Sequence, residues 1–153
     1  MDSAVKNVQY KDSKLLYNAL KNINSPFFVS RVLNIEKCSE TDISNMLFNY
    51  RMLAFTKECG KKTEVVLYQL PSLEENGNVH MMLISDDDAE FVKESVSYIK
   101  KEFKTFAWEK IILEHINKNN DDIEGKFEGY GFKKNMCVPY QYGTRDIYSI
   151  EIV

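Results

Sequence analysis

The sequence predicts an α/β protein with a mixed sheet covered by helices. The middle of the chain contains three strand-like segments separated by turns, which is typical of an antiparallel meander. The second half alternates helical and strand patterns. The chain has 153 residues, of which 44% are hydrophobic and 28% charged, the size and balance of a globular domain. We therefore expect one domain over residues 1–153.

The N-terminal part predicts a short strand followed by a helix. The strand is expected at residues 6–10. The helix should begin at a cap formed by Asp12 or Ser13 and end before Pro26, since proline lacks the backbone N–H that a helix needs. Residues 27–35 are apolar without a period, so no element is assigned to them.

The middle of the chain changes from a helical period to a strand period. Thr41 or Asp42 is expected to cap a short helix. Three strands should follow at residues 51–56, 63–70 and 79–84, because these runs are rich in β-branched and aromatic residues and are bounded by turns. The third is apolar enough to be buried on both faces.

The second half predicts helix, strand, short helix and hairpin. Residues 85–88 offer several helix caps, and their negative charges suit the positive end of the helix dipole. The apolar face of that helix is expected to comprise Val92, Val96, Ile99, Phe103 and Phe106. A strand at residues 108–116, a short helix from Asp121 and two strands within residues 133–153 should complete the sheet.

Composition and charge exclude several classes of protein. With 23 acidic and 20 basic residues the net charge is −3, so nucleic-acid binding is not favoured. No apolar run is long enough to span a bilayer, and the first residues lack the apolar segment of a signal peptide. Cys38, Cys59 and Cys137 form no metal-binding spacing, so we expect free thiols. A cytoplasmic protein without membrane or metal partners is the expectation.

A spacing near the C-terminus is similar to one found in the GCN5-related N-acetyltransferases. These proteins commonly carry, after their fifth strand, an Asn, an aliphatic residue three positions on, a Tyr four further and Gly-Phe four beyond. Here Asn120, Ile123, Phe127 and Gly131-Phe132 stand at those offsets. The resemblance extends from residue 108 to the C-terminus, and the preceding meander has the order of elements that the family has.

The resemblance implies a mostly antiparallel sheet with helices on both faces, in which two neighbouring strands part. It also implies transfer of an acyl group from a coenzyme A thioester to a small-molecule or peptide amine. The cofactor's pantetheine arm would pair with the backbone of Met82, Leu83, Ile84 and Ser85, where an N–H would polarise the thioester carbonyl. Asn120 and Phe127 would lie beside the cofactor.

The catalytic candidates follow from the same resemblance. The family's Tyr, whose hydroxyl can protonate the leaving thiolate, is replaced by Phe127, and phenylalanine has no proton to donate. Tyr130 is a nearby substitute or an ordinary packed aromatic. The base that deprotonates the amine would be His80 or Glu114. Glu64 and His115 are further candidates, although strand histidines often serve as scaffolding and Glu64 is expected to be solvated.

The loop before the third helix departs from the family's pattern. Where the family has a glycine-rich, basic loop for the cofactor's pyrophosphate, this chain has Asp86-Asp87-Asp88. Like charges oppose phosphate binding, which favours the alternative of a non-catalytic binding or regulatory module with the same fold. A donor presented by a carrier protein is a third interpretation. The closing hairpin, with Tyr140, Tyr142 and Tyr148, would line an acceptor pocket, form a homodimer contact or pack as a half-buried strand face.

Overall fold

A computed structural model describes residues 4–30, 37–71, 77–103, 106, 108–118, 123–141 and 143–152. The strands are β1 Lys6–Asn7, β2 Phe28–Val29, β3 Met52–Cys59, β4 Lys62–Gln69, β5 Gly77–Ile84, β6 Trp108–Lys118, β7 Lys133–Tyr140 and β8 Gly143–Glu151. The helices are α1 Ser13–Lys21, α2 Glu40–Phe48, α3 Ala89–Glu102 and α4 Ile123–Gly129. None of the helices within these ranges has the length and apolar character that a bilayer-spanning helix requires.

The described strands form one mixed sheet. Its order is β1-β3-β4-β5-β6-β8-β7, and β2 pairs with β5 beside this path. Among the pairs that the described strands form, only β5 with β6 is parallel. The predicted fold class, a mostly antiparallel sheet covered by helices, is confirmed.

Apolar residues cover both faces of the sheet. On one face α3 and α4 bury the larger core, which includes Phe55, Tyr68 and Phe91. On the other face α1 and α2 bury a smaller core around Leu16 and Ile43. The alternation of side chains along each strand supplies both cores, because successive residues point to opposite faces.

The predicted meander is confirmed, and its first turn is tight. β3 and β4 pair along their whole length, from Met52 opposite Gln69 to Cys59 opposite Lys62. The two-residue connection places Gly60 at φ +65°, in the left-handed region that glycine enters without steric cost.

Three predicted helix boundaries are wrong. α1 ends at Lys21 and does not extend to the predicted stop at Ser25-Pro26, because Asn22 already closes the last turn with backbone bonds to the preceding residues. α2 is capped by Ser39, whose hydroxyl accepts from the Asp42 N–H while the Asp42 carboxylate accepts from the Ser39 N–H. α3 ends at Glu102, so the last two predicted positions of its apolar face, Phe103 and Phe106, lie beyond the helix.

The two aromatic residues that follow α3, Phe103 and Phe106, pack on the Trp108 ring rather than on the face of a helix. Phe106 stacks on Trp108 with ring centroids 5.0 Å apart, and Phe103 stacks on the same indole at 5.0 Å. These aromatic contacts join the end of α3 to the start of β6.

Candidate functional site

The two parallel strands part half-way along their length. β5 and β6 pair from Gly77 opposite Trp108 to His80 opposite Ile112. Beyond that point β6 continues to Lys118 with β8 on its other edge, while β5 continues to Ile84 with β4 on its other edge. We call the space between residues 81–85 and 113–118 the slot.

A bulge turns the backbone of β5 toward the slot. Tyr68 stands opposite Met81 and Leu67 stands opposite Leu83, so Met82 has no counterpart on β4. A β-bulge of this kind kinks a strand and redirects the backbone of the extra residue. It occurs within the segment where the family resemblance places the pantetheine arm.

The slot contains a strand of the chain itself. β2 pairs antiparallel with β5, Phe28 opposite Ile84 and Val29 opposite Leu83. Since a strand has only two edges and β4 holds one of them, β2 lies on the edge that faces β6. Two further backbone bonds extend the pairing: the Phe27 N–H donates to the Ser85 carbonyl at 3.1 Å, and the Ser30 N–H donates to the Met82 carbonyl at 2.7 Å.

Aromatic contacts hold β2 and the residue before it in the slot. Phe28 is 4% exposed, and its ring lies 5.7 Å from that of Phe127 and 6.5 Å from that of His115. Phe27 approaches Phe127 at 6.4 Å and Tyr130 at 6.1 Å. Phe127, predicted to lie beside a cofactor, is completely buried beneath these rings.

The carboxylates before α3 are each bound by a lysine from another element. Asp86 pairs with Lys62 of β4, and Asp87 pairs with Lys126 of α4 at 2.9 Å. Asp88 pairs with Lys57 of β3 at 2.8 Å. These pairs neutralise the loop with the protein's own cations.

Asp88 is also the N-cap of α3. Its other oxygen accepts the Phe91 N–H at 3.2 Å, as expected from the sequence. Burial opposes ionisation of Asp88, but hydrogen bonds with Glu64 and Lys57 outweigh it and lower the pKa of this carboxyl.

Glu64 is half-buried against the same loop, so the expectation that it is solvated is wrong. Burial, together with the hydrogen bond to Asp88, raises the pKa of Glu64 to about 7. The ligand atoms of Cys59, Glu64 and Asp88 lie within 4.8 Å of one another. The cation that occupies this corner is the ammonium of Lys57, through its bond to Asp88.

Tyr130 is 2% exposed, and its hydroxyl donates to Asp87. Burial, and then this hydrogen bond, raise the pKa of Tyr130 well above its usual range. The bond in turn lowers the pKa of Asp87, with Lys126 acting in the same direction. A phenol that is tied to a carboxylate in this way is a poor proton donor toward the slot.

The two predicted bases lie on one face of the sheet. His80 forms the last pair before the strands part, and Glu114 lies two residues beyond its partner Ile112. Partial burial lowers the pKa of His80, an effect that the Glu114 carboxylate opposes. Glu114 is held by Arg145 through two bonds, one of them 3.0 Å long. His115 points to the other face, toward Phe28.

A cleft of about 510 Å³ opens beside the slot. It is lined by Phe28, Val29, Glu114, His115, Ile116, Tyr140 and Gln141. The β7–β8 hairpin therefore contributes to the cleft through Tyr140 and Gln141, while Tyr142 lies outside the described residues. Binding of an acceptor by this hairpin stays a prediction.

No protein-family model matches the chain, and no curated protein matches it. Solved structures do match over nearly the whole length. An acetyltransferase of the GNAT family from Streptococcus pneumoniae has a TM-score of 0.72 at 9% identity, covering 99% of this chain and 100% of that one. The aminoglycoside 6'-N-acetyltransferase from Enterococcus faecium has a TM-score of 0.66 at 12% identity, with 98% and 97% covered.

A point mutant of the spermidine N-acetyltransferase SpeG from Vibrio cholerae gives the same picture, with a TM-score of 0.66 at 12% identity and 99% and 94% of the two chains covered. This chain has the fold of the GCN5-related N-acetyltransferases. At such low identity the likeness is one of fold, and the residues of the site have to be judged on their own geometry.

Coenzyme A, which an acetyltransferase fold implies, meets two obstacles at these residues. At the N-terminus of α3 the phosphates would meet Asp86, Asp87 and Asp88, whose lysine partners are already engaged. Along the β5 segment the carbonyls of Met82 and Ser85 already accept hydrogen bonds from Ser30 and Phe27, the residues that flank β2. In this conformation the described residues do not fit the cofactor, and Asn120 lies outside them.

Sequence reasoning missed β2 and the lysines that pair with the acidic loop. The only signal for β2 was the apolar run around Phe28, which has no strand period of its own. The lysines come from three elements far apart in the chain, so no local pattern indicates their pairing.

Proposed function

We propose that this protein transfers an acyl group to an amine at the slot, in a conformation in which β2 has left β5. The observation that carries the proposal is the parting of β5 and β6 immediately beyond His80, with the bulge at Met82 facing the gap. A gap in a sheet leaves backbone groups without strand partners, and an extended acyl-bearing arm would satisfy them.

His80 is the proposed base. A lowered pKa leaves its imidazole neutral at pH 7, so that it can accept a proton from an ammonium group. Its place at the end of the paired region lies next to the position where an acyl carbon in the slot would react. The rate of acyl transfer should fall as the pH drops through the pKa of His80, because the protonated ring no longer accepts a proton.

The amine would enter through the cleft beside the slot. Its lining includes Tyr140 and Gln141, whose hydrogen-bonding groups suit an amine acceptor, and Glu114, whose carboxylate is paired with Arg145. Similar folds are named for spermidine and aminoglycoside acetylation, so a polyamine and an aminoglycoside are the first acceptors to test.

The proposed acyl donor would bind differently from the way that the family resemblance implies. Residues 85–88 contain no glycine, and the three lysines that contact their carboxylates are engaged, so binding energy would come from the arm of a thioester rather than from its phosphates. Reversing one charge tests this. Asp87→Lys should strengthen binding of acetyl-coenzyme A if its phosphates reach α3, and should leave it unchanged if they lie elsewhere.

The experiment is an acyl-transfer assay with acetyl-coenzyme A and spermidine or an aminoglycoside, read by mass spectrometry of the amine. Wild type should form acylated product, and His80→Gln should lose about 10²-fold or more in rate, the contribution typical of a positioned base. The matched control is Gln69→Ala, which changes an exposed residue opposite His80 on β4. Equal rates for His80→Gln and Gln69→Ala would contradict the role of His80.

A second candidate, a non-catalytic module, is favoured by the strand in the slot and the neutralised acidic loop. In that case β2 is a permanent part of the sheet and the protein acts by binding a partner. Calorimetric titration separates the two candidates. Heat at micromolar acetyl-coenzyme A supports the transferase, whereas no heat at millimolar ligand and no product with either amine support the module.

A further inference from the structure

We propose that Phe27–Ser30, which we call the strap, is an autoinhibitory strand that must leave β5 before any extended ligand can enter the slot. This inference rests on the proposed function, because it states how access to the proposed site is controlled. It adds a closed state that the acetyl-transfer chemistry by itself does not require.

The backbone geometry makes the strap and a ligand mutually exclusive. The strap supplies two N–H donors, from Phe27 and Ser30, to the carbonyls of Ser85 and Met82 at 3.1 and 2.7 Å. These are the carbonyls on the edge of β5 that the parting of β6 uncovers. An extended ligand that pairs with this edge needs the same acceptors in the same plane, so the two cannot bind together.

The side chains assign different roles to neighbouring residues of the strap. Phe28 is 4% exposed and packs against Phe127 and His115, so it anchors the segment. Val29 is 41% exposed and faces outward, as alternation along a strand requires. The anchor therefore depends mainly on one ring, with Phe27 adding edge contacts to Phe127 and Tyr130.

The strap is held by far fewer bonds than the rest of the sheet. β2 pairs over two residues, whereas β3 and β4 pair over eight. Short elements with few backbone bonds open at lower free energy than core strands, so the strap can open while the sheet remains folded. A closed fraction close to one would weaken apparent ligand binding in proportion to the open fraction.

Amide hydrogen exchange followed by NMR, without ligand, tests the closed state directly. In wild type the Phe27 and Ser30 amides should exchange about tenfold or more slowly than in an unstructured peptide, because both are hydrogen-bonded. Phe28→Ala should remove this protection. Val29→Ala, the matched control at the exposed neighbour, should retain it. Ser30→Pro deletes one donor without a cavity and should release the Phe27 amide, which guards against an effect of misfolding in Phe28→Ala.

Free-peptide exchange rates at both amides in wild type would overturn the proposal, and so would equal protection in Phe28→Ala and Val29→Ala. Titration with acetyl-coenzyme A then examines access. If the strap blocks the slot in more than nine molecules out of ten, Phe28→Ala should bind about tenfold or more tightly than wild type. If the exchange results hold and Phe28→Ala binds more tightly but transfers no acyl group, the strap stands and the proposed transferase function fails. If the exchange results hold but no variant binds, β2 is a permanent strand of the sheet and the strap proposal is overturned.

Discussion

Replacing Tyr130 by phenylalanine separates a structural role from a catalytic one. The ring is 2% exposed, and the hydroxyl donates to Asp87, whose second oxygen accepts from Lys126 at 2.9 Å. Tyr130→Phe keeps the packing of the ring against Phe27 and removes only this donor. The carboxylate then retains one lysine partner and loses its link to the residue that follows α4.

The magnitude follows from the charge of the acceptor. A hydrogen bond to a charged group contributes about 1.5–3 kcal/mol, and the partial solvent exposure of Asp87 reduces this to about 1–2 kcal/mol. For a chain of 153 residues each kcal/mol corresponds to about 3 °C, so the melting temperature should fall by about 3–6 °C. Acyl transfer, once detected in wild type, should be unchanged.

Thermal unfolding at pH 7 by circular dichroism measures the loss of stability. Tyr50→Phe serves as the control, since its side chain is 60% exposed, and it should leave the melting temperature unchanged. Asp87→Asn and the double variant complete a cycle that isolates the coupling between the two side chains. An unchanged melting temperature combined with lost transfer would refute this reasoning and make Tyr130 the acid that protonates the leaving group.

Two further predictions concern buried groups near α3. Tyr68 and Ser95 share a hydrogen bond of 2.5 Å, and Ser95 donates its single proton to the Val92 carbonyl, so Tyr68 is the donor between them. Ser95→Ala should lower the free energy of unfolding in urea by about 1–3 kcal/mol, because it leaves the buried Tyr68 hydroxyl without an acceptor, whereas Tyr68→Phe should lower it by about 1 kcal/mol. A larger loss for Tyr68→Phe than for Ser95→Ala would contradict this direction of the hydrogen bond. Glu64, with its pKa raised to about 7 by burial and Asp88, holds a proton in the folded state that the unfolded chain releases near pH 4.5. The unfolding free energy should therefore decrease as the pH rises from about 4.5 to about 7, and Glu64→Gln should lack this decrease. Melting temperatures of the two proteins at pH 5 and pH 8 make the comparison. Equal decreases in both proteins would contradict the role of Glu64.

The helices and strands, and their order along the chain, were predictable because local composition and periodicity indicate secondary structure. β4 is rich in β-branched and aromatic residues, and the apolar residues of α3 recur at helix spacing, so the sequence itself carries the information. The cap at Asp88 was predictable for the same local reason. The helix boundaries were harder to predict: α1 ends at Lys21, because Asn22 favours a turn and closes the helix before the later proline is reached.

The parts that sequence reasoning missed depend on distant partners. Phe28 and Val29 become a strand only because the parting of β6 leaves an edge of β5 unpaired, which is a property of the assembled sheet. The burial of Glu64 arises from the loop before α3, which lies more than twenty residues away in the chain. Asp87 likewise meets Tyr130 across 43 positions.

Pairing of the strap with β5 is tested most directly by a through-hydrogen-bond scalar coupling, measured by NMR between the Ser30 amide nitrogen and the Met82 carbonyl carbon. We expect this coupling in the protein without ligand, together with a weaker one from Phe27 to Ser85, in keeping with the 2.7 and 3.1 Å bonds. Absence of both couplings, in spectra where the β3–β4 bonds are detected, would contradict it.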